Sequence, residues 1–232
     1  MSREEPPIVA LHGNLGCAAD WQDLGIAGLE AVDLWDYSHL SFSDFAGELT
    51  RHLVEESERP ILAGYSLGGR LALHALAAYP GRWKGAVILS AHPGLFSVEE
   101  RIARRAADEL WAERAREMRW DEFLKTWNRQ GVFSGEEVPL DRVALEPRRE
   151  AIARGFENWS LGRQENLRPR LQSFAAPVLW LTGERDRKFN ELGAKMRGVF
   201  PDCRHEVVAG HGHRLLSDEV AVRIESFLGE LG

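Results

Sequence analysis

Cysteine is scarce: Cys17 and Cys203 are the only two in 232 residues. Neither sits in a metal-ligand spacing, so no metal and no cofactor is expected, and both read as ordinary thiols in a reduced cytoplasm. Positive charge is also short. Lysine and arginine number 29 against 36 acidic residues, a net charge of -7, which argues against a general binder of nucleic acid or of a membrane surface. No apolar run approaches the length of a membrane span. The charged start MSREEPP has no apolar h-region, so no signal peptide is expected and the expected location is cytoplasmic. What the chain does have is 44% hydrophobic residues and eight tryptophans. That is enough apolar material for one well-packed domain with room for an insertion.

The stretch Pro60 to Pro80, PILAGYSLGGRLALHALAAYP, organises the rest. An apolar run (Ile61, Leu62, Ala63) meets a Gly64-Tyr65-Ser66-Leu67-Gly68 turn, and an apolar helix follows with Leu71, Leu73 and Leu76. Strand, Gly-x-Ser-x-Gly and helix together make a nucleophile elbow, which holds a serine hydroxyl exposed at the top of a sheet. Glycines are expected at 64 and 68 because a Cβ there would strike the neighbouring strand or helix. The helix N-terminus behind Ser66 offers backbone N–H groups to an oxyanion.

In chain order, Ile8 to Leu11 reads as a buried strand running into His12-Gly13-Asn14-Leu15-Gly16. The backbone N–H groups of Asn14 and Leu67 are the expected oxyanion donors. A helix is expected over Asp20 to Leu29, a strand over Glu30 to Asp36, and a helix over Phe45 to Glu56 with Ser43 as N-cap. His39 lies in a polar loop and reads as a surface or pocket-rim residue. Gly85 to Ala91 is the next strand. The alternation predicts an α/β fold, a mostly parallel sheet flanked by helices, with ligands at the carboxyl ends of the strands.

From Ser97 to about Leu171 no strand-like run appears. Helices are expected over Glu99 to Met118, with Ile102, Ala106, Leu110 and Trp111 as the apolar stripe, over Trp120 to Gln130, and over one or two segments between Pro139 and Trp159. This block reads as a helical cap. The expected organisation is residues 1–96 and 172–232 as the core and 97–171 as the cap. Pro177 to Leu181 returns to strand, Asn190 to Phe200 to helix, His205 to Val208 to strand, and Asp218 to Leu231 closes with a helix.

Ser66, Asp186 and His211 follow strands in the order serine, acid, histidine. A serine hydroxyl is a weak nucleophile or proton acceptor without a base. An imidazole supplies that base near neutrality, and a carboxylate fixes its tautomer. His211 is preferred over His213 because it comes first after the strand. Glu184 is the rival to Asp186.

GYSLGGR at 64–70, HPGL at 92–95, GERDRKF at 183–189 and AGHGH at 209–213 resemble one branch of the α/β-hydrolases, the 2-succinyl-6-hydroxy-2,4-cyclohexadiene-1-carboxylate synthases of menaquinone biosynthesis. LWAER at 110–114, the segment around Trp127 and WSLGRQENLRP at 159–169 extend the likeness through the cap. The resemblance implies a lyase that removes a proton and expels pyruvate, with Ser66 taking the proton and His211 and Asp186 supporting it. It implies a small anionic substrate held by Arg70, Arg104, Tyr65, Trp127 and a third cap arginine. For that arginine Arg148, Arg149 and Arg154 compete, and Arg148 is favoured. The loop after the second strand departs from the branch, reading WDYSHLS, and no leading hairpin precedes the first strand. The bare triad also fits a carboxylester or C–C bond hydrolase, and the fold alone fits a non-enzymatic binder.

Overall fold

Six strands form one parallel sheet in the order β2-β1-β3-β4-β5-β6. The computed structural model describes residues 7–52, 59–133 and 142–231. β1 (Ile8–Leu11) leads through the four-residue α1 (Ala19–Gln22) to β2 (Leu29–Val32) on one side. α2 (Phe42–His52) returns the chain to β3 (Ile61–Tyr65) on the other side of β1, with Leu11 beside Gly64. The strand order therefore reverses between β1 and β3. The chain leaves their carboxyl ends toward opposite faces of the sheet, with Trp21 of α1 in one apolar cluster and α3 in the other, and in open α/β sheets ligands bind at such a point. α3 (Leu67–Ala78), β4 (Gly85–Leu89), β5 (Val178–Gly183), α8 (Arg187–Met196), β6 (Cys203–Val208) and α9 (Asp218–Leu231) complete the core elements.

The strands alternate their side chains between two apolar clusters, as a period of two requires. Val9, Leu11, Leu62, Ile88 and Trp180 face one cluster with α2 and α3. Ile8, Ala10, Ile61, Val87, Leu89 and Leu179 face the other with α9. Burying each of the larger aliphatic side chains contributes roughly 1.5–3 kcal/mol. Both faces of β1, β3, β4 and β5 are covered, which is why those strands are apolar throughout.

Between β4 and β5 the described chain is helical. α4 (Val98–Glu117), α5 (Trp120–Asn128), α6 (Arg149–Asn158) and the short α7 (Arg168–Leu171) follow one another, with a 3-10 segment over Val143–Arg148. Ser97 caps α4, accepting from the Glu100 amide at 3.2 Å. Of the expected apolar stripe of α4 only Trp111 packs inward, stacking on Phe156 of α6 with centroids 6.4 Å apart. Ile102 is 59% and Leu110 51% exposed, whereas Ala112, Ala115 and Asp108 are buried. α4 packs on α6, and its small alanines let the two backbones approach.

After β5 the helix expected over Asn190 to Phe200 is found at Arg187–Met196, and before the elbow three further expectations shift. The helix expected over Asp20 to Leu29 stops at Gln22, since Gly25 and Gly28 both take positive φ. The strand expected to reach Asp36 ends at Val32, where Asp33 accepts from the Trp35 amide at 3.0 Å and starts a 3-10 turn over Leu34–Tyr37. α2 begins at Phe42 rather than Phe45, and its capping hydroxyl is that of Ser41, which accepts from the Asp44 amide at 3.1 Å. The expected end of this helix, and the start of the helical segment placed from Pro139, lie outside the described residues. No described helix is long and apolar enough to cross a membrane.

On α3, His74 is 8% exposed and stacks on Phe42 with centroids 4.3 Å apart. Burial, then the charges of Arg70 and Arg170, push its pKa from 6.5 to about 3. The unfolded chain takes up this proton below 6.5 while the folded chain does not until about 3. Stability is therefore lost as pH falls through that window, by up to about 1.4 kcal/mol per pH unit. Denaturant titrations at neutral and mildly acidic pH measure the loss. A His74→Gln variant is expected to lose less, and an equal loss would remove His74 as its source.

Candidate active site

Ser66 follows β3 and precedes α3 with φ 52° and ψ -104°, a conformation that side-chain-bearing residues rarely adopt. The surrounding backbone fixes it. The Ser66 amide donates to Leu89 O at 2.9 Å and the Gly68 amide to His12 O at 3.0 Å. Glycine at 64 and 68 is a packing necessity. A Cβ on Gly64 would lie 2.6 Å from Gly68 O, and one on Gly68 would lie 2.1 Å from Leu11 O. The elbow thus presses directly on the end of β1.

The hydroxyl of Ser66 lies 3.0 Å from Nε2 of His213, and Nδ1 of His213 lies 2.6 Å from Oδ2 of Asp186. With the Nδ1 proton donated to the carboxylate, Nε2 is free to accept from the serine. His213 is 4% exposed and is packed among the rings of Phe189, Tyr65 and Phe133 at 4.7, 5.7 and 6.0 Å. These apolar neighbours fix the ring and keep water from its faces.

The histidine expected from the sequence, His211, is not the partner of Ser66. β6 ends at Val208 and the chain turns at Gly210 with φ 68°. The His211 ring folds back, with Nδ1 2.9 Å from Ala209 O and Nε2 3.1 Å from Ser217 Oγ. Only two residues later does the loop reach the serine. Gly183 makes that approach possible, since a Cβ there would lie 2.0 Å from Gly212 O. Glu184, the rival acid, instead accepts from the Gly210 amide at 2.9 Å and braces the same loop.

A cavity of about 730 Å³ opens above these groups, and Asn14, Tyr65, Ser66, Arg70, Arg104 and Trp127 are among the residues that line it. Leu67 opens α3 directly behind Ser66 with its side chain in the core, so its amide has no intrahelical acceptor. His39 is exposed and outside the lining. Arg70 is buried, and its Nη1 donates to Trp159 O at 2.7 Å. Burial, and after it the nearby charge of Arg104, lowers its pKa to about 9. Arg104 donates through Nε to both oxygens of Asp108 at 2.9 Å, an arrangement that leaves its Nη groups unused by the pair. Trp127 meets Trp111 edge-on at 5.1 Å.

Arg148 does not reach the cavity. Its Nη2 pairs with Asp36 at 2.6 Å and Asp33 at 3.4 Å, on the outside of the 3-10 turn after β2. Arg149 donates to Met118 O and covers Trp120, and Arg154 is exposed. The further cations in the lining come from the loop after β5, Arg185, and from the first turn of α8, Arg187 and Lys188. The GERDRKF run carried that signal, but only its acid was read as functional. Lys188 has its pKa lowered, first by burial and then by Arg104, with Asp186 opposing. The carboxylates in the lining are both engaged: Asp186 with His213, and Asp20 with Arg142 at 2.6 Å.

A parallel sheet that carries a serine on a strand-to-helix elbow, with an aspartate and a histidine following in that order, defines an α/β-hydrolase. Residues 8–224 match the model of the alpha/beta hydrolase family, and the chain belongs to it. Within that family it belongs with the 2-succinyl-6-hydroxy-2,4-cyclohexadiene-1-carboxylate synthases. The synthase of Pectobacterium atrosepticum is 33% identical, over 97% of this chain and 94% of its own. That of Photorhabdus laumondii is 34% identical, over 97% and 86%. Among solved structures, MenH from S. aureus superimposes with a TM-score of 0.83 at 23% identity, over 98% of this chain and 94% of that one. Carboxylesterase CesB from Bacillus subtilis superimposes with 0.66 at 24% identity, over 97% and 84%. These two likenesses concern the fold.

Proposed function

We propose that this protein is a lyase that eliminates pyruvate from a succinyl-enolpyruvyl-cyclohexene carboxylate to give 2-succinyl-6-hydroxy-2,4-cyclohexadiene-1-carboxylate. The observation that carries this reading is the charge of the cavity. In a chain of net charge -7, the lining gathers Arg70, Arg104, Arg185, Arg187 and Lys188 around Ser66, while both lining carboxylates are already paired. A substrate with succinyl, enolpyruvyl and ring carboxylates needs such groups, and guanidinium forks bind carboxylates in two-pronged fashion. A neutral ester needs none of them. The relatives' activity supports the same reading, and a cytoplasmic setting, where both cysteines remain thiols, goes with it.

In this mechanism Ser66 Oγ removes a proton from the substrate ring as its own proton passes to Nε2 of His213. Asp186 stabilises the imidazolium that forms. The electron pair left on carbon becomes a ring double bond as the C–O bond to the enolpyruvyl group breaks. The departing enolate takes up a proton and becomes pyruvate. The amides of Asn14 and Leu67 are assigned to the negative oxygen that develops on the substrate. Arg70, Arg104, Trp127 and Tyr65 hold the substrate, and Lys188 takes the place expected of a third cap arginine.

Pyruvate release from the proposed substrate tests the reading. Fast release that Ser66→Ala abolishes is the expected result. Arg104→Ala should raise KM by about 10- to 100-fold, the worth of one or two charge-assisted hydrogen bonds. Absence of release, together with burst acylation by a small activated ester, would instead identify a carboxylester hydrolase.

A further inference from the structure

His92 stands in the wall of the same cavity, on the loop that follows β4, and the relay does not use it. Its surroundings fix its position and its tautomer. Its Nδ1 accepts the Gly94 amide at 3.1 Å. An imidazole nitrogen that accepts carries no proton, so in the neutral ring the proton is on Nε2. No bond to Nε2 forms among the described residues.

The loop is held in place by the chain between α6 and α7. Gln164 Nε2 donates to His92 O at 2.8 Å, the Leu167 amide to Pro93 O at 2.9 Å, and Arg168 Nη1 to Gly94 O at 2.9 Å. Gly94 has φ 109°, and a Cβ there would lie 2.1 Å from Glu165 O, so no other residue allows this seating. The ring is 7% exposed. It stays neutral because burial, followed by the charges of Lys188, Arg168, Arg70 and Arg104, drives its pKa to about 3.

We propose that His92 is a substrate-binding residue that donates its Nε2–H to an anionic oxygen of the bound substrate. The inference deepens the lyase reading and rests on it for the identity of that oxygen. The chemistry explains why an imidazole suits a cavity already rich in cations. A fixed neutral donor strengthens as negative charge grows on its acceptor. It cannot surrender its proton at working pH, so the bond persists through the reaction. An imidazolium there would add another charge to a repelling cluster and would compete as a general acid.

Two experiments test it. In the whole protein with nitrogen-15-labelled histidine, His92 should show the neutral Nε2–H tautomer unchanged through the pH range of activity. Succinate, used as a carboxylate probe, should shift its Nε2 signal. Titration of His92 in that range, failure of succinate to bind, or binding that leaves the signal unmoved would overturn the proposal. In kinetics, His92→Ala should lower kcat/KM by about tenfold or more, the worth of one hydrogen bond to a charged group. His92→Gln, which keeps a neutral donor, should recover part of that loss, and neither variant should shift the pH profile. Unchanged kcat/KM in His92→Ala also overturns it. The nitrogen signals need no turnover, so a protein that lacks lyase activity but shows the succinate shift would refute the reaction and leave the donor standing.

Discussion

His213→Ala should lower kcat by about 10³-fold or more, the usual worth of a positioned general base acting with its serine, while His211→Ala leaves kcat within a few-fold. Nε2 of His213 stands 3.0 Å from Ser66 Oγ, and its Nδ1 meets Asp186 at 2.6 Å. His211 holds Ala209 O and Ser217 Oγ, so losing it should loosen the loop at about 1 kcal/mol of stability. Steady-state pyruvate release by the two variants, beside thermal melts of each, separates the roles. Comparable losses of kcat in both would mean that the loop rearranges with substrate bound and that the two imidazoles exchange places. His213→Gln sharpens the comparison. It fills much of the same space among Phe189, Tyr65 and Phe133 but cannot act as a base, so its rate should stay near that of the alanine variant.

The second large effect falls on folding. Gly68→Ala should destabilise the protein by more than about 4 kcal/mol, the range of severe steric lesions. The added Cβ would meet Leu11 O at 2.1 Å, Leu11 C at 2.4 Å and His12 O at 2.6 Å. All three are backbone atoms at the carboxyl end of β1, where it meets β3, so no rotamer change relieves the clash. The Gly68 amide would also lose its bond to His12 O, which anchors the loop bearing Asn14. Gly81→Ala is the control, since nothing lies within 4 Å of its added Cβ. Denaturant midpoints of the two variants should differ widely. A Gly68→Ala protein with a near-native midpoint would show that the elbow can move away from β1 without cost.

Much of this architecture is written in short-range patterns. Apolar runs at Ile8, Ile61, Gly85 and Val178 mark strands because both sheet faces are covered. Gly-x-Ser-x-Gly marks the elbow because two glycines are sterically required within one turn. Asp218–Leu231 is legible as a helix to the residue, since its apolar period is set by one flat sheet face. Ser66 and Asp186 were read from their places after strands, and Arg70 and Arg104 from the family resemblance; the structure brings all four to one cavity.

Tertiary structure decided the rest. The choice between His213 and His211 depends on how far a loop must travel from β6 to Ser66, and on the contact of Gly183 with Gly212 that lets it arrive. No local pattern encodes that distance. The exposed stripe of α4 came from a period that is correct for a helix but silent on which neighbour it meets. Of that stripe only Trp111 meets the partner α6, at Phe156, while Ala112 and Ala115 are the residues buried beside it. Arg148 has the right charge in the right stretch, and Asp36 on a distant turn captures it. Lys188 reaches the cavity because it lies in the first turn of α8, directly after Asp186, which is already turned toward the serine. Sequence alone determined which elements form and which residue types carry the chemistry, because backbone sterics and burial periodicity act over a few residues. Which copy of each residue type faces the cavity was decided by packing between segments remote in the chain.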